Sequence, residues 1–198
     1  MSAGWNRPTK IALALLCGIL LAAIFILPTQ GRIDNPADFV TRQTARVAVL
    51  FWSIAAAFLL LNHRPLARWT WTIACAAYLI HVATAFDRVH GWSHEAAFQH
   101  VEEVSGFGPG IFVSYGFSLL WLCDVLWWEL RTENYDRRPI WLDRVIHLFF
   151  AFIVCNGTVV YETGFIRWAG VAIFLLLGIL FLRRFMPRRN VSRFRSLP

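Results

Sequence analysis

The sequence predicts an all-α integral membrane protein: a polytopic bundle of about six transmembrane helices, with one short amphipathic helix in the loop between the third and fourth. Of 198 residues, 58% are hydrophobic and only 16% charged, with a mean hydropathy of +0.52. A soluble domain is about 45–50% apolar and about 25% charged, and a disordered chain has the opposite imbalance. The apolar excess is gathered in blocks of roughly twenty residues, the length a helix needs to cross a hydrocarbon layer about 30 Å thick. No window alternates as barrel strands do, so the spans satisfy their backbone hydrogen bonds as helices.

The blocks fall at about 11–27, 39–61, 69–86, 110–128, 141–160 and 165–182, forming a single transmembrane domain with a basic tail over 183–198. The first has the charged start and apolar run of a signal peptide. Ile26-Leu27-Pro28-Thr29-Gln30 offers no small-x-small cleavage site, however, so it is read as a helix. Trp69, Trp71, Trp141 and Tyr161 suit the headgroup boundary at the ends of the third and fifth spans. Alternating the loops puts fourteen of the 19 basic residues on one side and five on the other. The positive-inside rule then places both termini in the cytoplasm. The net charge of +7 lies mostly in the tail, which sets topology and can touch anionic lipid; nothing in it asks for nucleic acid. Cys17, Cys75, Cys123 and Cys155 fall one to a span, which argues against a disulfide framework.

One segment departs from its surroundings. The outer loop 87–106 carries Asp87, Glu95, Glu102 and Glu103 against Arg88 alone, and three of the six histidines: His90, His94 and His100. Gly91 frays the third span, Ser93 is a good N-cap, and Glu95 suits the positive first turn of a helix. Ala97, Phe98, Val101 and Val104 give that helix an apolar face, and Gly106, Gly108, Pro109 and Gly110 stop it. If helical geometry persists through Gly91, Asp87, His90 and His94 share a face. Two imidazoles and a carboxylate could then hold Zn, Fe or Cu. If the helix breaks there, His90 and His94 can still converge across the turn, with His100, Glu102 or Glu103 folding back over them. The alternative is a solvated loop whose histidines bond to water, headgroups or one another. An HExxH motif is absent.

Ionisable residues inside spans are costly and face the bundle or a cavity. His81 lies about two turns below His90 and reads as a deeper metal ligand, a proton step, or a histidine bonded to a hydroxyl or carbonyl of a neighbouring helix. Arg46 follows Arg42 and Asp38 at four-residue steps on one helix face. The two arginines could bind a substrate phosphate or carboxylate, and the plainer expectation pairs Arg46 with Asp87, Glu102 or Glu103. Asp124 and His147 sit at comparable depth toward the cytoplasmic end, as a structural clamp or a relay. Ser114, Ser118 and Trp121 form a stripe at helical spacing that reads as packing.

These residues support three functional expectations. The first is a membrane metalloprotein with a His/carboxylate site at the outer face, where Glu102 or Glu103 moves protons and the substrate is a lipid or another apolar molecule. Haem is a variant that would need His81 with a loop histidine. A hydroxylase of the multi-histidine kind would need several clusters, and this chain has one. The second is a non-catalytic subunit of a larger membrane complex. The third is a small transporter or channel, which the lack of an internal repeat disfavours.

Overall fold

The computed structural model describes residues 36–185, so the predicted span 11–27 and most of the basic tail lie outside the described residues. Within them the chain forms α1 (Pro36–Leu60), α2 (Arg64–Ala85), α3 (His94–Ser105), α4 (Gly110–Leu130), α5 (Thr132–Asp136), α6 (Ile140–Cys155) and α7 (Gly164–Phe185). There is no strand among the described residues. α2 and α6 each run on into a wider π-helical turn, Phe86–His90 and Asn156–Val160. Five segments are long and apolar enough to cross a membrane: Phe39–Leu60, Arg64–His90, Gly110–Leu130, Ile140–Val160 and Gly164–Arg184.

α1 and α2 pack against each other as a hairpin closed by a turn in which Asn62 takes a φ of 60°. Asn is one of the few side chains that tolerates this left-handed backbone. α2 starts at Arg64 rather than near residue 69, because Pro65 sits in the first helical turn, where its missing N–H is no loss. α7 lies against α1 and the π turn of α6. At its far end Arg184 donates to the carbonyl oxygens of Leu59 and Leu60 in the last turn of α1, the first of which also accepts from the Asn62 N–H.

In lipid, helix association rests on packing and polar contacts rather than on escape from water. The packing here is aromatic. Trp71 of α2, Phe117 and Trp121 of α4 and Phe150 of α6 are all buried. Phe150 lies 4.9 Å from both Trp71 and Trp121 and 4.7 Å from Phe117 between ring centroids. Tyr78 stacks on Trp121 at 5.2 Å, and its hydroxyl meets Ser118 at 2.9 Å. Of the stripe on α4, Ser118 and Trp121 pack against Tyr78, whereas Ser114 is exposed.

The polar contacts gather at the α5 end. Asp124 of α4 is 2% exposed. Its Oδ1 takes a hydrogen bond from Arg138 Nη1 at 2.6 Å, while Oδ2 accepts from Trp71 Nε1 at 2.9 Å and Tyr135 Oη at 3.0 Å. Arg138, itself buried, also donates through Nε to Asp143 Oδ1 at 2.9 Å, and its guanidinium lies 3.9 Å above the Tyr135 ring. That ring stacks on Trp128 at 4.4 Å. Burial and the adjacent Asp124 charge push the Tyr135 phenol well above its usual range, which keeps it a donor. Burial works against the Arg138 charge, but Tyr135, Asp124 and Asp143 outweigh it and hold the guanidinium's pKa above the ordinary value.

The expected Asp124–His147 clamp is corrected in one respect: Arg138 stands between the two. His147 Nε2 lies 3.5 Å from Asp143 Oδ1 and 3.5 Å from Arg138 Nη2, and its ring meets Trp71 edge-on at 5.2 Å. A guanidinium has the five donors needed to join two carboxylates, which one imidazole lacks.

Removing one partner of a buried ion pair leaves the other charge uncompensated. Asp124→Asn should therefore lower unfolding stability in detergent or bicelles by about 3–5 kcal/mol. Tyr135→Phe, which loses one hydrogen bond, should cost about 1 kcal/mol. Equal denaturation midpoints for wild type and Asp124→Asn would contradict this account of the cluster.

Candidate functional site

The outer-loop residues do not assemble as a metal triad. Gly91 ends the π turn of α2 with a φ of 56°, and Trp92 follows at 58°, so the helix reverses instead of continuing. Ser93 then caps α3, its Oγ accepting from Ala96 N at 3.2 Å. This break carries His94 away from Asp87 and His90. Asp87 pairs with its neighbour Arg88 at 3.1 Å. His94 Nδ1 shares a hydrogen bond with the Tyr115 hydroxyl of α4 at 2.9 Å. His90 instead faces His100, at 5.2 Å between ring centroids. Among the described residues, no group of three or more His, Cys, Asp or Glu is arranged to hold a metal ion.

The two carboxylates expected to move protons are also placed otherwise. Glu102 Oε2 accepts from the backbone N–H of Gly108, tying down the α3–α4 turn. A side chain at Gly108 would collide with Glu102 and with Phe98, whose ring atoms would lie 2.4 and 2.6 Å from an added Cβ. Glu103 is exposed.

The structure instead brings Arg42, Arg46, His81 and His100 to one cavity of about 320 Å³ at the α3 end of the bundle. α1 supplies Thr41, Arg42, Ala45, Arg46, Val49 and Leu50; α2 supplies His81; α3 supplies His100 and Val104. The remaining wall comes from the end of α6 and the start of α7, including Gly157, Thr158, Glu162, Ala169, Gly170 and Ile173. One helical turn separates the two arginines, so Arg46 lies about 6 Å deeper than Arg42. Val49, Leu50 and Ile173 make the floor apolar.

The polar groups differ in how far the chain satisfies them. Arg42 Nη1 lies 3.9 Å from Glu162 Oε1. Arg46 reaches Gln43 Oε1 only at 3.4 Å, through Nη1. Its Nε is shut off from solvent and has no hydrogen-bond partner among the described residues. Trp121 Nε1 is in the same condition, but it is a neutral donor inside the aromatic core. The expected pairing of Arg46 with Asp87, Glu102 or Glu103 is not made; the acid that shares its cavity is Glu162, across the bundle. His81 Nδ1 lies 3.0 Å from the Thr41 carbonyl oxygen and 3.4 Å from Thr44 Oγ1. A carbonyl only accepts, so Nδ1 carries the proton, and in the neutral ring Nε2 is left as an acceptor.

Sequence reasoning missed Glu162, which precedes the last span as the only acid near Arg167. It also missed the small residues that open the space. Both π turns flank this region: the first presents His90 to His100, the second supplies Gly157 and Thr158. π-helical turns displace side chains from the regular face and recur at functional sites. Comparison with family models, with curated proteins and with solved structures finds no match for this chain.

The α6–α7 seam of the cavity leaves no room at Gly170. A Cβ there would stand 2.9 Å from the Thr158 carbonyl oxygen and 3.0 Å from its Cβ, whereas one at Gly157 would meet nothing within 4 Å. Gly170→Ala should thus lose about 1–3 kcal/mol by overpacking, while Gly157→Ala stays near wild type. Thermal unfolding of the two variants side by side checks this, and the reverse ranking would refute the seam.

Proposed function

We propose that this protein binds an anionic amphiphile within the membrane, holding its charged head in the cavity around Arg46 and its apolar portion against Val49, Leu50 and Ile173. The observation that carries this reading is Arg46 itself, a half-buried guanidinium that lines an apolar-floored cavity and whose Nε has no hydrogen-bond partner among the described residues. A half-buried cation among apolar helices favours a counter-charge beside it. An arginine fork matches the paired oxygens of a phosphate or carboxylate.

The location supports a membrane ligand rather than a freely diffusing one. The cavity lies within the apolar lengths of α1, α2 and α7, close to where Arg42 and Glu162 mark the polar boundary. With the positive-inside orientation it opens toward the outer leaflet. The reading retains the expected lipid-like substrate and the anion-binding role of Arg42 and Arg46, and assigns the ligand to a side-chain cavity rather than to a metal. His81 lines the same cavity, and with Nδ1 donating to Thr41 its neutral ring has Nε2 as the remaining acceptor.

Native mass spectrometry of the protein extracted in mild detergent tests this directly. Wild type should retain an anionic amphiphile, and Arg46→Gln should reduce its occupancy at least tenfold with helicity unchanged. Ala45→Phe, which fills the cavity and leaves both arginines, should do the same, while the exposed Arg88→Gln should not. Equal retention by Arg46→Gln and wild type, or loss only in Arg88→Gln, would overturn the proposal.

A further inference from the structure

Resting on the reading above, we infer that the seam between α1 and α7 is a lateral port through which the apolar chain of the bound amphiphile passes into the bilayer. The ligand is then a long-chain membrane lipid held by its head, not a short-chain molecule enclosed whole.

Toward the α5 end this seam is shut. Trp52, 3% exposed, meets Phe174 at 5.9 Å between ring centroids, and further along Arg184 reaches the Leu59 carbonyl oxygen. Both contacts pair later residues of α1 with later residues of α7, so the two helices run in the same direction. Toward the α3 end the seam is flanked by Ala45 and Val49 on one side and Ala169 and Ile173 on the other, all of which line the cavity. The two alanines are too short to close it. The other boundaries offer no comparable gap. α1 and α2 pack against each other as a hairpin, and α6 and α7 meet at Thr158 and Gly170, where an added Cβ would not fit.

A chain anchored at Arg46 is also stopped from running straight down the bundle. Six residues separate Arg46 from Trp52, about 9 Å along the helix axis. Over that distance Val49, Leu50 and Ile173 offer an apolar wall. Below it stand the Trp52–Phe174 pair and the closed aromatic core of Trp71, Trp121 and Phe150. A longer chain turns outward, and the α1–α7 seam opens onto the apolar flanks of two spanning helices. A volume of about 320 Å³ is small for enclosing a whole ligand. Leaving most of the chain in the bilayer spares it the cost of being moved out of hydrocarbon into a site that cannot cover it.

The test uses the full chain in phosphatidylcholine nanodiscs, with hexadecyl phosphate and with the same molecule carrying a bulky pyrene at the far end of its chain. Specific binding is the part lost in Arg46→Gln, and Arg46→Lys, which keeps the charge, should retain some of it and controls for folding. The pyrene derivative should bind within threefold of hexadecyl phosphate, because its chain end lies in lipid. A diazirine at the middle of the hexadecyl chain should label α1 and α7 on the two sides of the seam. Hexyl phosphate and inorganic phosphate at the same concentration should fail to displace the long-chain probe.

Loss of Arg46-dependent binding on adding the pyrene would mean that the chain is enclosed whole. Labelling of another element in place of α1 and α7, the predicted span 11–27 included, would route the chain elsewhere. Either result would overturn the port and leave the broader reading intact. Equal competition by hexyl phosphate or inorganic phosphate would assign the site to a free anion and overturn the lipid source. No Arg46-dependent binding of any of these probes would overturn both.

Discussion

A charge placed among apolar helices must meet a compensating charge, because neither lipid nor packed aromatic rings can replace the water it has left. That constraint organises both ends of this bundle, and the two ends answer it differently. At the α5 end Arg138 is surrounded by the chain's own groups: Asp124, Asp143 and the face of Tyr135. Asp124 is in turn completed by Trp71 and Tyr135. At the α3 end Arg46 sits in a cavity with its Nε unpartnered among the described residues and with Glu162 turned chiefly toward Arg42. The first arrangement fastens helices; the second, on the proposed reading, is completed by a ligand.

The difference follows from the side chains that separate the helices. Around the α5-end cluster, Trp71, Trp121, Trp128 and Phe150 fill the space between α2, α4 and α6. Their area and their ring contacts hold the ion pair in one geometry. The cavity beside Arg46 is lined by Ala45, Gly157 and Ala169, which cannot fill an equivalent volume, while Gly170 is packed close against Thr158. The π turn Asn156–Val160 widens the end of α6 at the same level. Large rings close one end, and small residues with a widened helix leave the other hollow. The ligand reading follows from that asymmetry.

Much of the architecture was legible because it depends on local pattern. Apolar blocks of spanning length gave the helices within a few residues of 39–61, 110–128, 141–160 and 165–182. Ser93 and Gly91 marked a boundary through cap and backbone chemistry that acts over one turn. The site was legible only in its components. Arg42, Arg46 and His81 were conspicuous as polar residues in apolar spans, yet their partners come from elements distant in sequence. Glu162 arrives from the far side of the bundle, and Arg138 looked like one more topology-setting charge beside Arg137. The histidines of the loop misled for a similar reason. Residues dense in sequence scatter in space once Gly91 and Trp92 reverse the chain, so local concentration of ligand types did not become a site.

The most direct measurement is an experimental density map of the full chain in nanodiscs containing both phosphatidylglycerol and phosphatidylethanolamine. The account predicts an anionic lipid head group in the cavity with an oxygen within hydrogen-bond distance of the Arg46 guanidinium. A cavity that holds only water, or an Arg46 Nε met by an acceptor from elsewhere in this chain, would contradict it.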